Sequence, residues 1–279
     1  MLRMPLRFTL ASLALAALLA GCPEDIPPPT PAPILDPEPA GAPTAIAEGR
    51  LSCLGNNAPT PPATRNLTLP GYARAFSDPT NLTGAQPAAS VEAFDSMGSL
   101  ATTFASTSDG RVAVSVPIEA TGFDGWVRVT ATGLVPTSLF SSRPYTTDAV
   151  AGWVWLPTPA EVTAQATMAG TAVTAGQGTL VGAVHDCDVF GVANAVIRYA
   201  GRTDGVVYYS GFTPDSALTF TGVSGRFAVA SVAPGPVTVE AFGRLTVGGP
   251  LTLLSRAEVN VTADEITAVD LQPRVAVER

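Results

Sequence analysis

Apolar and polar residues alternate in short runs along most of the chain after Arg50, and turn residues separate the runs. Arg111-Val-Ala-Val-Ser-Val-Pro-Ile118 is a clear case. A period of two sends successive side chains to opposite faces of a strand, so these runs predict half-buried strands rather than helices. Strands are expected at 67–76, 89–94, 100–107, 111–118, 125–132 and, around Trp153-Val154-Trp155, within 146–156. A second series is expected at 180–185, 195–200, 206–209, 217–221, 226–232, 237–242, 251–261 and 266–272. Asp109-Gly110 is a hairpin turn signal, and Pro234-Gly235 marks another turn. One helix is expected over 158–168. Thr158 can cap it, Pro159 suits its first turn, and Glu161 sits where the helix dipole favours a carboxylate.

The two series read as diverged copies of one unit. Ser108-Asp-Gly-Arg-Val-Ala-Val114 parallels Val223-Ser-Gly-Arg-Phe-Ala-Val229, and Val127-Arg-Val-Thr-Ala131 parallels Val237-Thr-Val-Glu-Ala241. The spacing differs: 19 positions separate Val91 from Gly110, and 28 separate Ile197 from Gly225. The second copy therefore carries a longer connection around 204–215.

Gly178-Thr-Leu-Val-Gly182, Gly191-Val-Ala-Asn-Ala195, Ser224-Gly225-Arg-Phe and Ala233-Pro234-Gly235-Pro-Val-Thr-Val239 form a series of their own. Over 176–274 it resembles a carboxypeptidase regulatory-like domain, with Asn194 where glycine is commoner. Residues 64–145 match weakly and lack the Pro-Gly turn. The resemblance implies a transthyretin-like (prealbumin-type) β-sandwich and is nearly silent on activity. The fold class expected is thus all-β. Two tandem sandwich modules, 50–145 and 178–279, are joined by a connector, 146–177, that holds the short helix.

The first residues follow another pattern. Arg3 and Arg7 precede an apolar stretch, 8–19, too short to span about 30 Å of hydrocarbon as a helix. This is the layout of a secretory signal. Leu19-Ala20-Gly21-Cys22 closes it and resembles a bacterial lipobox. The resemblance implies a diacylglyceryl thioether on Cys22, cleavage before it to remove 1–21, and acylation (as with palmitate) of the new amino group. Pro23 stands where an aspartate would signal inner-membrane retention, so the outer membrane of the cell envelope is the expected location. Residues 22–49 are rich in proline, with nine between Pro23 and Glu48, and show almost no apolar periodicity. They are expected to be a structureless tether reaching up to about 80 Å.

With Cys22 modified, Cys53 and Cys187 remain as one pair in an oxidising compartment, and a disulfide is expected between them. The chain without its first 21 residues has 23 acidic and 13 basic side chains, a formal charge of −10. All its basic side chains are arginine, and no basic patch offsets the acid, so nucleic acid is not an expected partner.

Candidate chemistry is sparse. His185-Asp186-Cys187-Asp188 is the densest polar cluster, but His185 is the one histidine in the chain. A site of two histidines and a glutamate cannot be built from it, and no metal or cofactor is expected. No Gly-Xaa-Ser-Xaa-Gly elbow occurs, and no enzymatic activity is expected. Candidate ligand contacts are aromatic: Trp153 and Trp155, two apart on one strand, and Tyr208-Tyr209 in the long connection. The expected function is contact. A lipid-held envelope protein would present β-sandwich modules to an envelope protein or glycan. The alternative is a carbohydrate-binding module of starch-binding-like fold.

Overall fold

Alternation dictates the strands. In β4 (Arg111–Ile118) Val112, Val114, Val116 and Ile118 are buried, and the residues between them are exposed. A computed structural model describes residues 33–54, 65–75, 88–108, 110–118, 122–145, 152–211 and 213–273. Residues 1–21, expected as a signal sequence, Cys22 and the first part of the expected tether lie outside them.

The first half is a two-layer sandwich. One layer has β4 beside β1 (Arg65–Ala75) and β7 (Gly152–Leu156), in the order β4-β1-β7. The other has β2 (Ala89–Asp95), β3 (Leu100–Ala105), β5 (Gly125–Ala131) and β6 (Thr137–Ser141), in the order β3-β2-β5-β6. Leu67, Val91, Val114, Val116, Val129 and Leu156 fill the space between. Asp109 lies outside the described residues. Gly110, at φ +78°, closes a turn that carries β3 to β4 in the opposite layer. It is a corner, not a hairpin.

Helix α1 (Pro159–Met168) then begins as expected: Glu161 N donates to the Thr158 hydroxyl, and Thr158 N donates to the Glu161 carboxylate at 2.7 Å. This reciprocal cap satisfies two backbone donors that the helix start leaves unpaired.

The second half repeats the sandwich. One layer contains β8 (Gly178–Val184), β10 (Val206–Ser210), β11 (Thr213–Asp215), β12 (Arg226–Val232) and β15 (Ile266–Leu271). The other contains β9 (Val196–Tyr199), β13 (Gly235–Arg244) and β14 (Leu251–Val261). Leu180, Ile197, Phe227, Val239 and Leu271 are core residues. Gly182 leaves room for the Phe227 ring, since a Cβ there would lie 2.5 Å from it. Residues 217–221, expected as a strand, instead form loop structure. The Thr221 hydroxyl donates to Val192 O and accepts from Ala195 N.

Pairing supports the internal repeat. β1 pairs antiparallel with β4 and parallel with β7; β8 pairs antiparallel with β12 and parallel with β15. The order β2-β5-β6 likewise matches β9-β13-β14. The remaining strand differs, since β3 joins β2 whereas β10 joins β12.

Two expectations about domain organisation are also corrected. The modules are not separate beads, because β15 pairs in parallel with β6 and one nine-stranded sheet runs through both halves. Adjacent residues of β6 serve different cores: Leu139 packs on the first and Phe140 on the second. Successive strand residues point to opposite faces, so the two cores lie on opposite faces of the shared sheet. Arg128 of β5 reinforces the join with a hydrogen bond to Glu265 (Nε to Oε2, 3.2 Å).

The second correction concerns the tether. Residues 33–49 pack on the second half as a strap. Leu35 N donates to Leu251 O, and Leu253 N donates to Pro33 O, both at 2.8 Å, which adds the strap antiparallel to β14. Leu35 is buried against Val196, Phe242 and Leu251. The Arg244 guanidinium holds the Glu38 carboxylate and the Pro43 carbonyl. Proline lacks a backbone N–H but keeps its carbonyl acceptor, and the buried Leu35 and Ala47 help to dock a segment that lacks periodicity.

Candidate functional site

The His185–Asp188 cluster lies in the connection from β8 to β9, and residues 48–54 run beside it. Cys53 and Cys187 form the expected disulfide, with Cα atoms 5.8 Å apart. Cys187 N donates to Arg50 O, and Glu48 pairs with Ala193. The Asp186 carboxylate is almost fully buried and accepts from three backbone N–H groups: Arg50 at 2.8 Å, and Asp188 and Phe190 at 2.9 Å. Asp188 forms an ion pair with Arg50. His185 Nδ1 lies 2.6 Å from Asp270 Oδ1 on the neighbouring β15. Gln272 Nε2 donates to the other Asp270 oxygen. Each polar group is thus engaged in holding the loop. Among the described residues no three His, Cys, Asp or Glu side chains converge as metal ligands.

Burial alone would push the Asp186 carboxyl up. The backbone donors Arg50, Phe190 and Asp188, with the Arg50 guanidinium, outweigh it and hold the group below the usual aspartate value. A carboxylate with a lowered folded-state pKa contributes stability above its unfolded value and loses it as pH falls through the folded one. Asp186→Asn is therefore expected to cost about 1.5–3 kcal/mol at pH 7, the scale of a hydrogen bond to a charged group. The deficit should begin to shrink below about pH 4, where the unfolded carboxylate protonates, and go on shrinking as pH falls through the lower folded value. Urea unfolding of both proteins at pH 7 and pH 3 measures it; an equal deficit at both would contradict the charge-assisted role.

The aromatic candidates are not brought together. Tyr208 faces the core at 3% exposure, and its hydroxyl accepts from Ile197 N at 3.3 Å. Burial pushes its pKa up to about 12. It is therefore a core residue and cannot contact a ligand. Tyr209 and Trp155 are half-buried, and the Trp153 side chain lies outside the described residues. The 204–215 connection carries the strand expected at 206–209 and forms the β10–β11 hairpin, which extends the end of the nine-stranded sheet.

Sequence reading missed an aromatic row on the shared sheet. Phe94 of β2, Trp126 of β5 and Phe140 of β6 stack in line, with centroids 4.1 and 5.3 Å apart. β2 and β6 flank β5, so neighbours cover both faces of the Trp126 ring. The signal existed only in register: Phe94 faces Trp126 once β2 and β5 are paired.

No protein-family model matches the chain. No curated protein matches it. Among solved structures, the TIE protein of Bacillus anthracis is similar at 11% identity and a TM-score of 0.26, over 75% of this chain and 34% of that one. The minor pilin of Streptococcus agalactiae gives 10% identity and a TM-score of 0.23, over 76% and 98%. The full-length major pilin RrgB of Streptococcus pneumoniae gives 11% and 0.23, over 77% and 49%. The chain spans about a third of the Bacillus protein. Similarity at this level carries no argument about function.

Proposed function

We propose that the protein is a non-catalytic, lipid-anchored component of the cell envelope whose fused sandwich serves contact with an envelope protein or glycan. Leu19-Ala20-Gly21-Cys22 behind a short apolar run supports the anchor, and Pro23 supports sorting to the outer membrane. One observation carries the non-catalytic reading. The densest polar cluster is spent on structure: Asp186 on backbone donors, Asp188 on Arg50, Cys187 in a disulfide and His185 on Asp270. General acid–base chemistry needs a titrating group free to meet a substrate proton. The carbohydrate-binding alternative needs open ring faces. Tyr208 is buried and Trp126 is covered on both sides, so neither offers one.

Metabolic labelling with an alkyne fatty acid tests the anchor. The wild type is expected to carry the label and Cys22→Ser to lose it entirely. Equal labelling of the two would rule out Cys22 as the attachment site.

A further inference from the structure

We propose that the end of the second sandwich where the strap enters is a lipid-contacting tip, seated on a phospholipid surface beside the Cys22 anchor. The inference rests on the anchor reading above. Six apolar side chains project from this end: Ile34 of the strap, Val189 and Phe190 between β8 and β9, Val223 before β12, and Leu245 and Val247 in the β13–β14 hairpin. Each is between 45 and 85% exposed.

Pairing places them together. Arg226 opposite Ala183 sets the start of β12 at the end of β8. Val196 opposite Phe242 brings the start of β9 to the end of β13. Ile34 bridges Thr252 at the base of the hairpin, and Ala47 N donates to Arg244 O there. A Cβ on Gly191 would lie 2.6 Å from Val223 O, so the two loops touch. The Cys53–Cys187 bond and the Asp186 carboxylate tie the β8–β9 loop, which carries Val189 and Phe190, to residues 50–53. A concentration of exposed apolar side chains on loop tips marks an interaction surface.

Chain length selects lipid as the partner. Of the acidic groups here, Asp188 is matched by Arg50, Glu38 by Arg244 and Asp186 by backbone N–H groups, while Asp36 and Glu48 of the strap are exposed. The docked strap also limits how far the described residues can lie from Cys22. Ten residues, 23–32, separate Cys22 from Pro33, and at about 3.1 Å per residue they reach at most about 30 Å. The anchor thus keeps the apolar end close to the headgroups, where such side chains enter the interface. Met168, 58% exposed, sits on α1 at the opposite end, where α1 follows β7 and Thr174 N bonds Ser231 at the end of β12.

The test uses the mature lipid-bearing chain in phosphatidylcholine vesicles that carry acyl-chain nitroxides. Fluorophores are placed through Val223→Cys, Val247→Cys and Met168→Cys. Quenching at 223 and 247 is expected to exceed that at 168 by about threefold or more, as for side chains at the headgroup–acyl boundary. Phe190→Asp should lower quenching at 223, and replacing part of the lipid with phosphatidylglycerol should leave the ratio unchanged. Chains that float with the vesicles but quench equally at all three sites overturn the tip and leave these loops to a protein partner. A strict need for anionic lipid, or no effect of Phe190→Asp, also overturns it. Failure to float with the vesicles instead removes the anchor, and the tip with it.

Discussion

Replacing Cys53 and Cys187 together by serine is expected to lower the unfolding free energy by up to about 5 kcal/mol, the loop-closure value for a cross-link of this span. The bond joins residues 134 apart in sequence, so the unfolded chain gains a large loop's freedom when it is lost. The native state loses a support as well. Cys53 N points at the Cys187 sulfur at 3.0 Å, and residues 48–54 reach the β8–β9 loop through Arg50 and Glu48. Because the serine pair restores neither, the 48–54 segment should also become the earliest site of proteolysis. Urea unfolding of the wild type, with and without reductant, and of the double variant measures the effect. Equal midpoints for all three would show that the bond adds nothing to stability.

The strands were legible because their burial alternates with sequence. Arg111–Ile118 appears with the expected bounds, and 251–261 was recovered in full as β14. The helix was legible because capping is local: Thr158, Pro159 and Glu161 act within one turn. The repeat was legible too, and strand pairing extends it from a motif to a shared topology. β6 was missed for a physical reason. Its Thr137 and Ser138 are polar yet buried within the shared sheet, which breaks the apolar alternation. Its parallel partner β15 lies more than a hundred residues away, and no local pattern reports such a pairing.

The strap and the site show the same limit. Leu35 and Ala47 are too widely spaced to make a period, yet each finds a tertiary pocket. The cysteine pair was found by counting, which needs no geometry. Tyr208 was misassigned because Val206-Val-Tyr-Tyr-Ser210 does not say which tyrosine faces the core; Val207 and Tyr208 are both buried. Asn194 stands where glycine is commoner in the domain that 176–274 resembles. Its φ of +62° supplies the reason, since asparagine tolerates the left-handed region better than most residues.

Gly225→Ala is expected to cost about 2–5 kcal/mol, combining left-handed backbone strain with an overpacked contact. Gly225 has φ +67°, and a Cβ there would lie 2.2 Å from Val184 O and 3.0 Å from Val192 N. Neither neighbour is a flexible side-chain end. Val184 N donates to Gly225 O, so relieving the clash by moving the strands apart also breaks a hydrogen bond between β8 and the turn before β12. Gly248→Ala separates the two contributions. It has a similar φ, +71°, with nothing within 4 Å of an added Cβ. It should therefore cost only the strain, about 1 kcal/mol. Urea midpoints of the two variants measure the difference, and equal losses would show that the close approach at Gly225 is unimportant. A larger loss at Gly225 ties Ser224-Gly225-Arg226 to a physical cause. The glycine lets the turn before β12 press against the end of β8, which sets where Val223 stands beside the disulfide-bound loop.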